Sequence, residues 1–144
     1  MAYRGYSYSQ DVSPSEEGLK KDADAIIGFL KDPAAFDPEI APNINPQLIF
    51  GHGRSLGGAV AIYAAHKYKE VFRGLIIENS FTSMSDMADS LFPFLKPIIP
   101  YILRQEWQSY KLMPEVLAPT FFVTGTLDET VSYELTVRLY ELAT

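Results

Sequence analysis

Gly53-Arg54-Ser55-Leu56-Gly57 is the stretch whose residue types and spacing could carry covalent chemistry. A serine hydroxyl becomes a nucleophile only when it stands clear of the backbone and a base can take its proton. The apolar run Leu48-Ile49-Phe50 precedes the pentapeptide, and an alanine-rich run from Ala59 to Tyr68 follows it. A glycine-flanked serine between a strand and a helix is the sequence form of a nucleophile elbow. The turn leaves little room for side chains, so Gly53 and Gly57 are read as steric requirements, with Gly58 giving further room between helix and strand. The backbone amide of Leu56, opening the helix, is a candidate donor to an oxyanion. The chemistry implied is attack on an ester, thioester or amide carbonyl, with the acyl group passing through the serine to water.

Such a serine needs an acid to orient its base. Asp128 follows the run Phe121-Phe122-Val123 across a short loop containing Gly125. Functional side chains of a parallel sheet gather beyond the carboxyl ends of its strands, which puts Asp128 on the same edge as Ser55. The competing role for Asp128 is turn formation or helix capping. Glu78, after Leu75-Ile76-Ile77, is a second acid candidate, read instead as an acceptor for the amides of the loop 79–82. Glu129 is read as solvated. The two histidines are His52 and His66. His52 is expected beside the elbow, and His66 lies about 16 Å further along an ideal helix. Neither is placed to serve as the base, which is expected after one more strand, beyond residue 144.

The elements that must hold these residues alternate. Ser13-Pro14-Ser15-Glu16 reads as a capped helix start, with Ser13 as the cap, Pro14 in the first turn and Glu16 reaching back. Leu19, Ala23, Ile26 and Leu30 then recur at helical spacing up to Pro33. A proline-rich surface connection leads to Pro46. The runs at 48–50, 75–77 and 121–123 read as buried strands, with helices over 59–68 and 133–142. Residues 86–99 read as a short helix broken at Pro93 and Pro97. The apolar segment Phe92 to Leu103 is read as core in preference to a substrate groove. Short apolar strands alternating with helices predict an α/β fold, a parallel sheet with helices on both faces. Residues 1–144 read as one partial domain.

Composition narrows the function. The formal net charge is -6 and no cluster of Lys and Arg is present, which argues against a nucleic-acid partner. With no cysteine, disulfides and thiolate zinc sites are excluded. No cofactor and no metal are expected. No run reaches the roughly 18 apolar residues needed to cross a bilayer. Arginine at position 54 and the lack of a lysine after the glycines break the phosphate-loop pattern.

Taken together, Tyr3-Arg4-Gly5-Tyr6, Pro14-Ser15-Glu16-Glu17-Gly18-Leu19, Gly53 to Ile62, Gly74 to Ser83, Trp107 with Ser109, and Gly125 to Val131 resemble the eukaryotic bud-emergence-homologue branch of α/β-hydrolases. These stretches run from end to end of the chain. The resemblance implies that Ser55 is the nucleophile and Asp128 the triad acid of an ester, thioester or peptide hydrolase. It implies acyl ester or thioester substrates, lipidated ones included, and membrane association through a segment preceding residue 1. It implies that the triad histidine and the first oxyanion loop lie outside residues 1–144, so that the chain by itself is a catalytically inactive scaffold. Strand 4 of the family sheet is expected as a stub near Tyr3, followed by strands 5 to 7. A three-strand sheet with an unpaired edge is prone to associate, so marginal stability is expected of these residues alone.

Overall fold

The computed structural model describes residues 2–9, 12–37, 39 and 41–143. Three strands, β1 (Ile49–Arg54), β2 (Phe72–Glu78) and β3 (Thr120–Val123), form a parallel sheet in the order β1-β2-β3. The helices are α1 (Glu16–Lys31), α2 (Pro33–Phe36), α3 (Leu56–Lys67), α4 (Met84–Leu91), α5 (Ile99–Ile102), α6 (Ser109–Leu112) and α7 (Tyr133–Leu142). This is the expected incomplete α/β-hydrolase sheet.

Pleating decides which side chains meet. Gly51 and Gly53 pair with Leu75 and Ile77 on one face, while Phe50, His52 and Arg54 pair with Gly74, Ile76 and Glu78 on the other. The first face carries the core. Leu75 and Ile77 pack with Ile62 and Ala65 of α3, Met113, and Leu139 of α7. On the far side of α3, Ala59 and Val60 meet Leu19 and Ala23 of α1, Phe81 and Trp107. A helix buried on both sides must be apolar all round, hence the alanine-rich sequence of α3. The opposite sheet face, expected to carry helices as well, is open. Phe50 is 67% exposed, Ile76 41% and Phe121 66%.

The N-terminal segment departs from expectation. Residues near Tyr3 form turns, closed by Tyr6 N–H to Tyr3 O and Ser9 N–H to Tyr6 O at 3.0 and 3.1 Å, in place of a strand-4 stub. Gly5 and Ser7 adopt left-handed φ of 75° and 52°, which breaks any extended run. Arg4 is clipped to Asp22 of α1 by its backbone N–H and its guanidinium. Helix α1 is capped by Ser15, not Ser13. The Ser15 Oγ accepts from Gly18 N–H at 3.1 Å. Glu16 does not reach back to the cap; its Oε2 accepts from the amides of Glu106 and Trp107 at 2.8 and 3.2 Å. Trp107 itself has a left-handed φ of 43°. The segment 92–103 is mostly surface. Phe92, Phe94, Ile98 and Tyr101 are exposed and Ile99 is buried, because Pro93 and Pro97 cut it into single turns too short to present a continuous apolar face.

Candidate active site

Ser55 sits between β1 and α3 at φ 51° and ψ −122°. This is a strained conformation for a non-glycine residue, and it turns the chain sharply from strand to helix. The Ser55 side chain makes no capping bond to α3. Its backbone is held twice: the N–H donates to Glu78 O at 3.0 Å, and the carbonyl accepts from Gly58 N–H at 2.9 Å and Ser80 Oγ at 3.0 Å. Leu56 is the first residue of α3, so its N–H has no preceding helical turn to donate to.

The glycines divide. A Cβ on Gly53 would strike the carbonyl group of Gly57 and approach Gly58 N to 2.7 Å. On Gly58 it would collide with the side chain of Ser80. On Gly57 it would meet only Tyr3 Oη, at 3.8 Å, so the steric requirement expected there does not exist. Gly51, which would ordinarily weaken a strand, lets Leu75 Cδ2 and the Phe72 ring approach within 2.7 and 3.2 Å of where a Cβ would be.

Asp128 closes the turn from Gly125, its N–H donating to Gly125 O at 3.1 Å. Oδ1 accepts from Thr130 and Val131 N–H at 2.8 and 2.9 Å, and Oδ2 accepts from Asn79 Nδ2 at 2.5 Å. The carboxyl is held below its usual range, first by the amides of Val131 and Thr130, with Asn79 and the nearby Arg54 guanidinium adding to them against some desolvation. A carboxylate accepts about four hydrogen bonds, so Asp128 caps its turn and keeps capacity for a ring N–H. Asp128 and Ser55 both follow the carboxyl ends of strands. Glu129 is exposed.

Neither histidine approaches the role of base. His52 points to the open sheet face and its side chain is 60% exposed, not packed, because residue 52 alternates with the inward Gly51 and Gly53. Its Nε2 lies 3.2 Å from Glu78 Oε2. Arg54 Nε lies 3.7 Å from the other oxygen of the same carboxylate. Glu78 therefore does not tie down the loop 79–82 through its side chain, as expected of it; its backbone carbonyl holds Ser55. His66, near the end of α3, lies 3.3 Å from Glu115. Among the described residues no group of three or more His, Asp and Glu is arranged to hold a metal ion.

Asn79, Ser80 and Thr136 are the residues that sequence reading missed. Thr136 Oγ1 accepts from Ser80 N–H at 3.0 Å and donates to Ser80 O at 2.8 Å, tying α7 to the loop that grips the serine. Asn79-Ser80 is a pair of polar residues directly after β2, and that position was the available signal.

A parallel sheet with a strained serine at its strand-to-helix turn and a carboxylate after a later strand defines an α/β-hydrolase. The chain belongs to the prolyl oligopeptidase family, whose sequence pattern matches residues 41–143, and it lies in the bud-emergence-like branch of these folds. The Saccharomyces cerevisiae uncharacterized membrane protein YNL320W is 37% identical over 97% of this chain and 46% of its own length. Protein bem46 of Schizosaccharomyces pombe is 34% identical over 99% and 45%. Arabidopsis thaliana α/β-hydrolase domain-containing protein WAV2 is 33% identical over 91% and 43%. The chain thus spans less than half the length of these relatives. Among solved structures, the fold is shared with Pyrococcus horikoshii acylaminoacyl peptidase, at a TM-score of 0.68 and 15% identity, over 97% of this chain and 24% of that one. It is also shared with Paleococcus ferrophilus monoacylglycerol lipase, at 0.60 and 17%, over 100% and 67%.

Proposed function

We propose that Ser55 is the nucleophile of a serine hydrolase that cleaves ester, thioester or amide bonds. Ser55 Oγ attacks the carbonyl carbon while its proton passes to a histidine, which Asp128 orients through the ring N–H. The Leu56 amide donates to the oxyanion. Collapse of the tetrahedral species expels the leaving group, which takes the proton from the imidazolium. Water then adds to the acyl-serine with the same histidine as base, and the acid product leaves. The observation that carries this reading is the strained Ser55 turn, with an uncommitted side chain, joined through residues 78–80 to an ionised Asp128.

The histidine is proposed to come from polypeptide outside the 144 residues. The engagement of His52 with Glu78 and of His66 with Glu115 supports a second reading for these residues alone, an inactive scaffold awaiting its base. Membrane attachment is likewise proposed for the whole protein, through a segment outside this sequence, since YNL320W is named a membrane protein. Among the described residues no helix is long and apolar enough to cross a membrane. Acyl esters and thioesters, including those of lipidated molecules, are the proposed substrates. Short acyl esters supplied to the complete gene product should be hydrolysed, and Ser55→Ala should abolish turnover. Equal turnover by both proteins would sink the proposal. A fluorophosphonate that labels the 144-residue chain at Ser55 would overturn the scaffold reading.

A further inference from the structure

Three consecutive residues, the last of β2 and the two that follow it, touch both halves of the candidate site. Glu78 O and Ser80 Oγ hold the backbone of Ser55 from two sides. Between them Asn79 faces the other way. Its N–H donates to Val123 O at 2.9 Å, its Oδ1 accepts from Gly125 N–H at 2.9 Å, and its Nδ2 donates to Asp128 Oδ2. One side chain thereby grips the first and last residues of the turn 125–128. The amide orientation is fixed by chemistry, because Gly125 N–H can only donate and an ionised carboxylate can only accept. Asn79 has φ 41°, a left-handed conformation that asparagine tolerates far better than most residues.

Resting on the hydrolase reading, we infer that Asn79 is a positioning residue that sets the Asp128 carboxylate in place relative to Ser55. Thr130 and Val131 fix Oδ1. Asn79 fixes Oδ2 and stops rotation of the carboxylate about its Cβ–Cγ bond. The lone pairs left for a ring N–H then point in one direction. Because Glu78 and Ser80 flank Asn79, any shift of the segment moves serine and acid together and preserves their separation. A substitution at Asn79 that spares the backbone uncouples them.

Two variants separate this role from that of an ordinary turn residue. Asn79→Gly keeps the left-handed backbone and the bond to Val123 but deletes the side chain. Asn79→Asp keeps the Oδ1 acceptor but sets a second carboxylate against Asp128. In the 144-residue chain, carboxyl carbon NMR should show Asp128 titrating at higher pH in both variants, most in Asn79→Asp. Amide exchange at Gly125 should rise about tenfold or more in Asn79→Gly, with Ser55 N–H unchanged. In the complete gene product, kcat for a short acyl ester should fall about 10- to 100-fold in Asn79→Gly, with KM unaltered. An unchanged Asp128 titration and Gly125 exchange in folded Asn79→Gly would overturn the inference, as would wild-type kcat. If Ser55→Ala turned over like the wild type, the hydrolase reading would fall by itself, and the NMR measurements would still decide whether Asn79 holds Asp128.

Discussion

Gly53→Ala and Gly57→Ala make a matched pair, since the two glycines flank the same serine and neither has a positive φ. Alanine is therefore permitted by the backbone at both, and only space distinguishes them. At position 53 the new Cβ would lie 2.5 Å from Gly57 C and 2.7 Å from Gly58 N. Non-bonded carbons rest at about 3.5 Å or more, so the first turn of α3 must lift by about 1 Å. It cannot do so cheaply, because its contacts are backbone atoms and Gly58 is already seated against Ser80. The expected cost is at the upper end for overpacking, about 3 kcal/mol. At position 57 the nearest atom is Tyr3 Oη at 3.8 Å, an ordinary contact. Replacing a helical glycine with alanine there should stabilise by up to about 1 kcal/mol.

The two variants should therefore differ by about 4 kcal/mol, which at a urea slope of about 2 kcal/mol/M separates their midpoints by about 2 M. Urea unfolding followed by circular dichroism reads this directly. A Gly53→Ala midpoint within about 0.25 M of the wild type, or equal losses in both variants, would refute the claim that the elbow is closed by contact between residue 53 and the start of α3.

Thr136→Val, nearly isosteric, should cost about 2–3 kcal/mol in urea unfolding because it strands the buried N–H and C=O of Ser80, whereas Ser80→Ala should cost about 1 kcal/mol. Stability should also fall in acid. Glu16 is pushed up by burial but held below its ordinary 4.5 by Lys20 and the amides of Trp107 and Glu106, which outweigh that burial. A carboxyl with a depressed folded pKa contributes stability above its unfolded value and loses it as pH falls through the folded one, so urea midpoints should drop below about pH 4.5 and drop less steeply in Glu16→Gln. Phe121→Lys, on the open sheet face, should suppress self-association in light scattering while changing stability by no more than about 0.5 kcal/mol; undiminished scattering would show that this face does not drive association.

Where local pattern and tertiary demand agreed, the sequence was readable. Leu135, Leu139 and Leu142 mark α7 at its observed bounds, because one stripe faces the core and nothing distant competes. Strand centres were equally plain, but β1 runs on to Arg54 through Gly51-His52-Gly53, although local propensity disfavours both glycines in a strand. Gly51 is there for Leu75 and Phe72, and Gly53 for α3, partners that local pattern does not bring near. Glu16, read as reaching back to the cap of α1, instead accepts from the amides at 106 and 107, partners again invisible to local rules. The one-sided burial of the sheet was hidden for a different reason. Ile76 and Phe121 look like core by type, and alternation alone cannot say which face a helix will cover.

The candidate site was legible to the degree that its chemistry resides in residue type. A serine between glycines and an aspartate after a strand announce themselves. What joins them depends on register. Arg54 pairs with Glu78, and Glu78 with Val123, so all three strands end level and residues 55, 79 and 124 emerge side by side. Had β2 slipped by one residue, Asn79 would have pointed to the other face of the sheet, and its amide could not have reached both Gly125 and Asp128. The clamp is thus a consequence of strand alignment, and that alignment is fixed by the burial of Leu75 and Ile77 against Ile62 and Leu139. Packing several residues below the serine decides whether residues 55, 79 and 124 emerge side by side.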